Sequence, residues 1–163
     1  YLTIELKGNI PKKFRPKIGN WIFGCDICQE VCPWNKEIQK SSEIKFQARN
    51  DTYLPELKSL MYLDENDFKT KFKKSPILRS KRRGFLRNVA VALGNWSNID
   101  AIPALVRGLK DNESMVRSHS AWALGKIKHN SIQKILENAI TKEKIPTVIE
   151  EIEEAIKSQK LNK

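Results

Sequence analysis

The sequence predicts a mostly α-helical protein whose helices stack in pairs as an α-solenoid. Apolar residues recur at helical spacing from about residue 54 almost to the end, and one helical motif occurs twice, 31 residues apart. A different kind of segment precedes the helices: it is rich in glycine, proline and turn residues and contains all three cysteines of the chain. We therefore divide the chain into residues 1–48, a connector over 49–63 and a helical domain over 64–163.

The first 48 residues leave only short elements between turn residues. Leu2, Ile4 and Leu6 alternate with polar residues, which predicts a short strand. So small a segment has little core of its own, and we expect ligation of a metal to supply most of its folding free energy.

The cysteines lie at Cys25, Cys28 and Cys32, and Pro33 follows the last of them. These spacings match the end of a bacterial iron–sulfur ligand run, in which the fourth cysteine serves a different cluster from the first three. Ile22 occupies the first ligand position, so the set is incomplete. The spacing predicts that Cys25 and Cys28 bind one cluster and Cys32 a second, with the missing thiolates supplied from outside these 163 residues.

Two other interpretations of the cysteines stay open. Thiolates also suit zinc, and His119 or His129 could complete a structural zinc site. The thiols could also be free structural cysteines. Clustered thiols without a visible export signal indicate a reducing compartment, so we expect a cytoplasmic protein. No run approaches the roughly 20 apolar residues of a membrane helix.

The helical domain begins with a helix over 65–73, which Asp64 can cap. Ser75-Pro76 then predicts the start of a helix that ends at Gly94-Asn95. Two further helix pairs follow, over 100–109 with 113–127 and over 131–140 with 146–158. The residues expected to face the core of the helix over 76–94 are Leu78, Phe85, Val89, Ala92 and Leu93.

The repeat relates residues 90–94 to 121–125, with a weaker third copy at 151–156. About three helix pairs is the minimum for a stable stack. The 31-residue period is shorter than the usual HEAT length, so the domain is HEAT-like, and an irregular helical bundle is the alternative. Trp96 and Trp122 occupy corresponding ends of two repeat helices, where we expect packing rather than base stacking.

Positive charge is concentrated in one part of a chain whose formal net charge is +11. Residues 68–99 contain nine cations and no Asp or Glu, which indicates a polyanionic partner, with a solvated lysine-rich face as the alternative. Arg79, Arg83 and Arg87 are four residues apart and should form one stripe about 12 Å long. The candidate nucleic-acid contacts are Lys73, Lys74, Arg79, Lys81, Arg82, Arg83 and Arg87. Arg107 and Arg117 are expected to be surface residues with packed stems.

Three stretches together resemble the C-terminal half of the epoxyqueuosine reductase family: residues 1–8, residues 24–35 with the Cys-Pro-Trp-Asn sequence, and residues 87–95. The resemblance implies a ferredoxin-like two-cluster domain followed by HEAT-like repeats. It also implies a cytoplasmic bacterial enzyme that reduces epoxyqueuosine to queuosine at the wobble position of transfer RNA.

The resemblance assigns Cys25 and Cys28 to one [4Fe–4S] cluster and Cys32 to another, with the remaining cysteines upstream of Tyr1. Cobalamin and the catalytic residues would lie outside this chain, so none of its side chains is assigned a catalytic role and the chain alone should be inactive. The implied partner is transfer RNA with a queuosine-family wobble base; the electron donor is unidentified and a monomer is expected. The alternative is a HEAT-like module that binds protein or RNA and has a structural zinc site.

Overall fold

Nine α helices occur within residues 1–36, 41–43 and 55–161, the parts of the chain that this computed structural model describes. They are α1 (Arg15–Ile18), α2 (Ile27–Glu30), α3 (Leu57–Leu60), α4 (Glu65–Lys71), α5 (Lys81–Trp96), α6 (Ile102–Gly108), α7 (Ser114–Lys126), α8 (Ser131–Ile140) and α9 (Pro146–Leu161). Short 3₁₀ turns occupy Lys12–Phe14, Pro33–Asn35, Pro76–Ser80 and Ile99–Ala101.

The long helices α5, α7 and α9 pack side by side and form the inner layer of the stack. Helices α4, α6 and α8 each pack against the inner helix that follows them. The interior is apolar, with Val89, Leu93, Leu124 and Ile152 almost fully buried. The predicted solenoid of three helix pairs is therefore confirmed, with boundaries that differ from the expected ones by a few residues in most helices.

Helix α4 begins as the sequence predicts. The Oδ1 atom of Asp64 accepts hydrogen bonds from the backbone N–H groups of Asn66 at 2.8 Å and Asp67 at 2.7 Å. The Asp67 side chain bonds in return to the backbone N–H of Asp64, which completes a capping box. This cap fixes the direction in which α4 approaches α5, and Phe68 on α4 contacts the ring of Phe85 at 5.5 Å between centroids.

The prediction of one continuous helix over 76–94 is wrong. A 3₁₀ turn over Pro76–Ser80 comes first, and Lys81 then has φ 56°, a conformation that a side chain with a Cβ rarely adopts. The break rotates the first turn away from the core, so Leu78 is 37% exposed instead of buried. The expected core residues of the following helix, Phe85, Val89, Ala92 and Leu93, are buried.

Helix α5 also continues through Gly94, where the sequence predicts its end, and stops at Trp96. A Cβ placed on Gly94 would lie 2.8 Å from Cα of Ala123 on α7. The same relationship recurs one repeat later, where a Cβ on Gly125 would lie 3.0 Å from Cα of Ala155 on α9. The repeated glycines therefore permit close approach of consecutive inner helices rather than ending them.

One arginine connects the first helix pair to the second, and another connects the second pair to the third. Arg82 on α5 bonds both carboxylate oxygens of Asp111, in the turn between α6 and α7. Arg117 on α7 bonds both oxygens of Glu143, in the turn between α8 and α9, at 2.7 and 3.0 Å. The hydrogen bonds from Arg117 lower the pKa of Glu143 to about 2. Arg117 is thus a half-buried residue whose guanidinium is paired within the fold, rather than the surface residue that the sequence analysis expected.

The N-terminal segment, residues 1–36, contains no strand, and the strand prediction for Leu2 to Leu6 is wrong. The backbone N–H groups of Ile4, Glu5 and Leu6 all bond to the carbonyl of Tyr1, which closes a turn. Polar side chains of the helical domain then hold this segment against α5, α7 and α9. Hydrogen bonds within the chain therefore supply much of the support that the sequence interpretation attributed to metal ligands.

The predicted connector lies only partly within the described residues, because 49–54 fall outside them. Its remainder contains α3, and Leu60 and Met61 are buried in the core of the stack. The domain boundaries at residues 48 and 64 stay predictions. No helix in the described ranges is long and apolar enough to cross a membrane.

Candidate cluster ligands and basic surface

The three cysteines follow a turn at Gly24, whose φ of 74° favours glycine. Cys25 and Cys28 are exposed, Cys32 is half-buried, and all three thiols are free. Cys28 lies on α2, whereas Cys32 lies beyond its end, directly before the 3₁₀ turn over Pro33–Asn35. Accessible soft thiols of this kind fit a partial ligand set for iron–sulfur clusters.

The structure does not bring the three thiols together as one site. Across residues 1–36, 41–43 and 55–161, no group of three His, Cys, Asp or Glu side chains is arranged to hold a metal ion. The assignment of Cys25 and Cys28 to one cluster and Cys32 to the other stays a prediction.

Asn88 on α5 supports the backbone just before the cysteines. Its amide nitrogen donates to the carbonyls of Thr3 at 2.7 Å and Ile22 at 2.8 Å. The hydroxyl oxygen of Thr3 in turn accepts a hydrogen bond from the backbone N–H of Gly24 at 3.0 Å. The sequence interpretation assigned no role to Asn88, because only the fold brings residue 88 beside residues 3 and 22.

The prediction of an exposed stripe that includes Arg87 is wrong. Arg87 is 1% exposed, and its guanidinium donates to the carbonyls of Leu2, Leu6 and Gly8 at 2.6–2.9 Å. Burial lowers its pKa to about 10, so the group is still charged near neutral pH and requires these acceptors. Arg87 therefore anchors the N-terminal segment and does not face a nucleic acid.

Two other predicted nucleic-acid contacts also have partners within the chain. Arg79 lies on the 3₁₀ turn, separated from α5 by the break at Lys81, and its exposed guanidinium pairs with Glu5. Arg82 bonds Asp111 and also donates to the carbonyl of Leu63 at 2.8 Å. Carboxylates distant in sequence thus neutralise part of a segment that has no acidic residue of its own.

The remaining predicted contacts form a smaller group, which we call the basic cluster. It follows the end of α4 and continues into the first turn of α5, and its members are Lys73, Lys74, Lys81 and Arg83. The three lysines are exposed and Arg83 is half-buried. The first turn of α5 contains no acidic residue, so its N-terminal dipole favours an anion at the same place.

His119 cannot complete a zinc site in this fold. It is fully buried; its Nδ1–H donates to the carbonyl of Met115 at 2.8 Å, and its Nε2 accepts from the backbone N–H of Ile10 at 3.1 Å. Burial lowers the pKa of His119 to about 3, so the ring is neutral and both nitrogens are occupied. The zinc interpretation that uses His119 is therefore wrong. His129 is exposed and its Nδ1 lies 2.8 Å from Oγ of Ser131.

The two repeat tryptophans have different surroundings. Trp122 is only 9% exposed, and the guanidinium carbon of Arg15 lies 5.5 Å from its ring centroid, which confirms a packing role. Trp96 is 47% exposed and lines a cavity of about 450 Å³. The packing prediction for Trp96 is therefore wrong, because α5 extends past the core at its C-terminal end.

Two family models match separate parts of the chain. A 4Fe-4S double cluster binding domain matches residues 1–35, which contain the three cysteines. HEAT repeats match residues 75–157, which span α5 to most of α9. The matches follow the division between the cysteine-bearing segment and the helical stack, and they confirm the expected HEAT-like architecture.

Similar proteins cover both parts together. The epoxyqueuosine reductase of Xanthomonas campestris pv. campestris is 47% identical over 125 residues, which are 76% of this chain and 35% of that protein. A crystal structure of epoxyqueuosine reductase with an epoxyqueuosine-modified tyrosine tRNA stem loop has a TM-score of 0.91 and 35% identity, over 98% of this chain and 42% of that one. The structure of the Bacillus subtilis epoxyqueuosine reductase has a TM-score of 0.89 and 35% identity, over 96% of this chain and 42% of that one.

The resemblance to epoxyqueuosine reductases is thus confirmed in sequence and in structure. The chain spans about a third of the length of the curated relatives it matches.

Proposed function

We propose that this chain, which belongs to the HEAT-repeat family, forms the cluster-bearing and RNA-facing part of an epoxyqueuosine reductase. The observation that carries the proposal is that one resemblance covers the cysteine segment and the helical stack together, at a TM-score of 0.91 over 98% of the chain. The complete enzyme would reduce epoxyqueuosine to queuosine at the wobble position of transfer RNA, in the cytoplasm.

In this proposal Cys25 and Cys28 ligate one [4Fe–4S] cluster and Cys32 ligates a second, with further thiolates from the rest of the protein. Conversion of an epoxide to an alkene consumes two electrons and two protons and releases water; the clusters would supply the electrons one at a time, and a cobalamin bound outside this chain would supply the chemistry of the bond-breaking step. Residues of this chain hold the backbone that leads to the ligands: Asn88 bonds the carbonyl of Ile22, just before the cysteines, and Arg87 bonds the carbonyl of Leu2 in the same N-terminal segment.

We also propose that the basic cluster contacts the transfer-RNA backbone. Lys73, Lys74 and Lys81 are exposed and Arg83 is half-buried, so these cations are accessible to a polyanion, whereas Arg87 is almost fully buried. A wobble base lies on a single-stranded loop, and an enzyme that acts on it must hold nearby phosphates while the base is displaced from its stack. Lysine and arginine at the N-terminal end of α5 suit that task.

The test uses the full-length protein that contains this chain, purified without oxygen. We expect iron and acid-labile sulfide in equal amounts, and reduction of an epoxyqueuosine-modified tRNA stem loop. Replacement of Cys25 or Cys32 by Ser should each remove about half of the bound iron, because each belongs to a different cluster. Val31→Ser changes an exposed residue of the same segment and should leave the iron content unchanged.

Two results would contradict the proposal. Stoichiometric zinc without sulfide would replace the clusters by a zinc site. Full iron loading with no reduction of the modified stem loop would show that this protein does not share the activity of the reductases it resembles.

A further inference from the structure

Most residues of the cysteine segment, residues 25–35, are exposed to solvent. The backbone directly before it is held by hydrogen bonds to other parts of the fold. Gly24, one residue before Cys25, donates its N–H to the hydroxyl oxygen of Thr3 at 3.0 Å. The carbonyl of Ile22, three residues before Cys25, accepts a hydrogen bond from the side-chain amide of Asn88 at 2.8 Å. Both bonds come from outside the cysteine segment, so the start of the ligand run takes its position from other parts of the fold.

One side chain on α5, Asn88, makes the second of these bonds and also holds the backbone of Thr3, whose hydroxyl makes the first. Asn88 is fully buried and donates to the carbonyls of Thr3 and Ile22 at once, at 2.7 and 2.8 Å. Its own oxygen accepts two hydrogen bonds from the guanidinium of Arg87, at 3.0 and 2.9 Å, which fixes the orientation of the amide. Because the amide nitrogen and the amide oxygen each bond two partner groups, the carboxamide has one orientation.

We propose that Asn88, acting through Thr3, is a positioning residue that sets the reduction potential of the cluster ligated by Cys25 and Cys28. This inference rests on the proposed function, because it requires that cluster. The physical reason is that hydrogen bonds near cluster sulfurs tune the potential. Thr3 occupies the N–H of Gly24, and so holds the backbone directly beside Cys25.

Thr3→Val is the mildest test, since valine has nearly the shape of threonine but no hydroxyl. Loss of the hydroxyl removes the hydrogen bond to the N–H of Gly24, directly beside Cys25, so the potential of the cluster that Cys25 ligates should shift. Thr3→Ser keeps the hydroxyl and should restore the original value. The cluster ligated by Cys32 should keep its potential in both variants.

Asn95 provides a matched control for Asn88. It lies on the same helix and also donates to two carbonyls of the N-terminal segment, those of Arg15 and Gly19, each at 2.8 Å. Asn88→Ser and Asn95→Ser should therefore weaken the attachment of that segment to a similar degree. Only Asn88→Ser should shift the potential of the Cys25 cluster, because Asn95 bonds residues distant from the cysteines.

The measurements are redox titrations followed by electron paramagnetic resonance on the anaerobic full-length protein, with amide hydrogen exchange at Gly24. The exchange at Gly24 should be several-fold faster in Thr3→Val than in the natural protein. An unchanged potential in Thr3→Val would overturn the inference whatever the exchange rate, as would an equal shift in Asn95→Ser. Absence of sulfide from the unsubstituted protein would instead refute the proposed function. If Asn88→Ser fails to fold, the Thr3 pair decides the question.

Discussion

Arg15 and Glu151 form a buried two-point ion pair, at 3.1 and 2.8 Å, that joins α1 to α9. Both side chains are less than a tenth exposed, and Nε of Arg15 also donates to the carbonyl of Ile10 at 2.8 Å. The pair therefore links the N-terminal segment to the last helix pair of the stack.

Loss of one partner in this ion pair should be costly. Glu151→Gln leaves the guanidinium of Arg15 buried without its counter-charge, which should lower the free energy of unfolding by about 3–5 kcal/mol. Urea unfolding followed by tryptophan fluorescence measures the change, since Trp122 lies beside Arg15. Glu154→Gln is the control: Glu154 pairs with Lys12 at 2.6 Å, but both are about half exposed, and the loss should be below about 1 kcal/mol. Equal losses of unfolding free energy in the two variants would show that the buried ion pair contributes no more to stability than the exposed one.

Gly94→Ala should destabilise the protein although alanine is the better helix former. The added Cβ would lie 2.8 Å from Cα of Ala123, so α5 and α7 must separate, at a cost of about 1–3 kcal/mol beyond the propensity gain. Gly84→Ala on the same helix is the control, because its Cβ would meet only Cβ of Ser80 at 3.8 Å. That variant should gain about 0.5–1 kcal/mol. Thermal denaturation of both variants gives the comparison, and a stabilised Gly94→Ala would contradict the close approach.

His119 should make the fold sensitive to mild acid. Its pKa is lowered to about 3 in the folded chain, against about 6.5 when unfolded. As pH falls below about 6.5 the unfolded state takes up a proton that the folded state refuses, so stability falls by up to about 1.4 kcal/mol per pH unit until about pH 3. Urea unfolding between pH 7 and pH 5 tests this.

The contribution of His119 is isolated by substitution. His119→Gln can retain hydrogen bonds to Ile10 and Met115 but has no proton to gain, so its stability should depend less on pH over that interval. His129→Gln, which replaces an exposed histidine, is the comparison variant. An identical slope in His119→Gln would exclude His119 as its source.

The basic cluster should determine affinity for RNA. Neutralising Lys74, Lys81 and Arg83 by glutamine should weaken binding of a transfer-RNA stem loop and reduce the slope of log K against log salt by about one unit for each phosphate that no longer has a cationic partner. Arg79→Gln and Arg82→Gln should have smaller effects, because Glu5 and Asp111 already neutralise those arginines. Fluorescence anisotropy over a range of salt concentrations provides both numbers. Unchanged affinity and slope would identify the cluster as a solvated face.

Much of the helical domain is predictable from local pattern. The cap at Asp64, the core positions Phe85, Val89 and Leu93, and the helix over 131–140 follow from periodicity and capping chemistry, which act within a few residues. The cysteine spacing likewise belongs to one short segment, and the family model that matches residues 1–35 is consistent with it.

The interactions that the sequence interpretation missed are long-range. Arg87 looks like the end of an exposed stripe until the fold brings the carbonyls of Leu2 and Gly8 to it, about 80 residues away in the chain. Gly94 looks like a helix end in the sequence, because glycine often follows the last turn of a helix. Its actual role, close approach to Ala123 one repeat later, depends on a residue that local pattern does not identify. Helical spacing alone cannot show which face of α5 the N-terminal segment covers.

The N-terminal segment also depends on partners that are made late. Arg15 precedes Glu151 by 136 residues, so at ribosomal elongation rates the first residues wait on the order of ten seconds before α9 exists to receive them. During that interval Asn88 and His119 emerge in turn, so the partners of the segment become available in that order. The thiols of Cys25, Cys28 and Cys32 are thus synthesised well before the helices that fix the backbone around them, so the three side chains leave the ribosome on a segment that nothing yet holds in place.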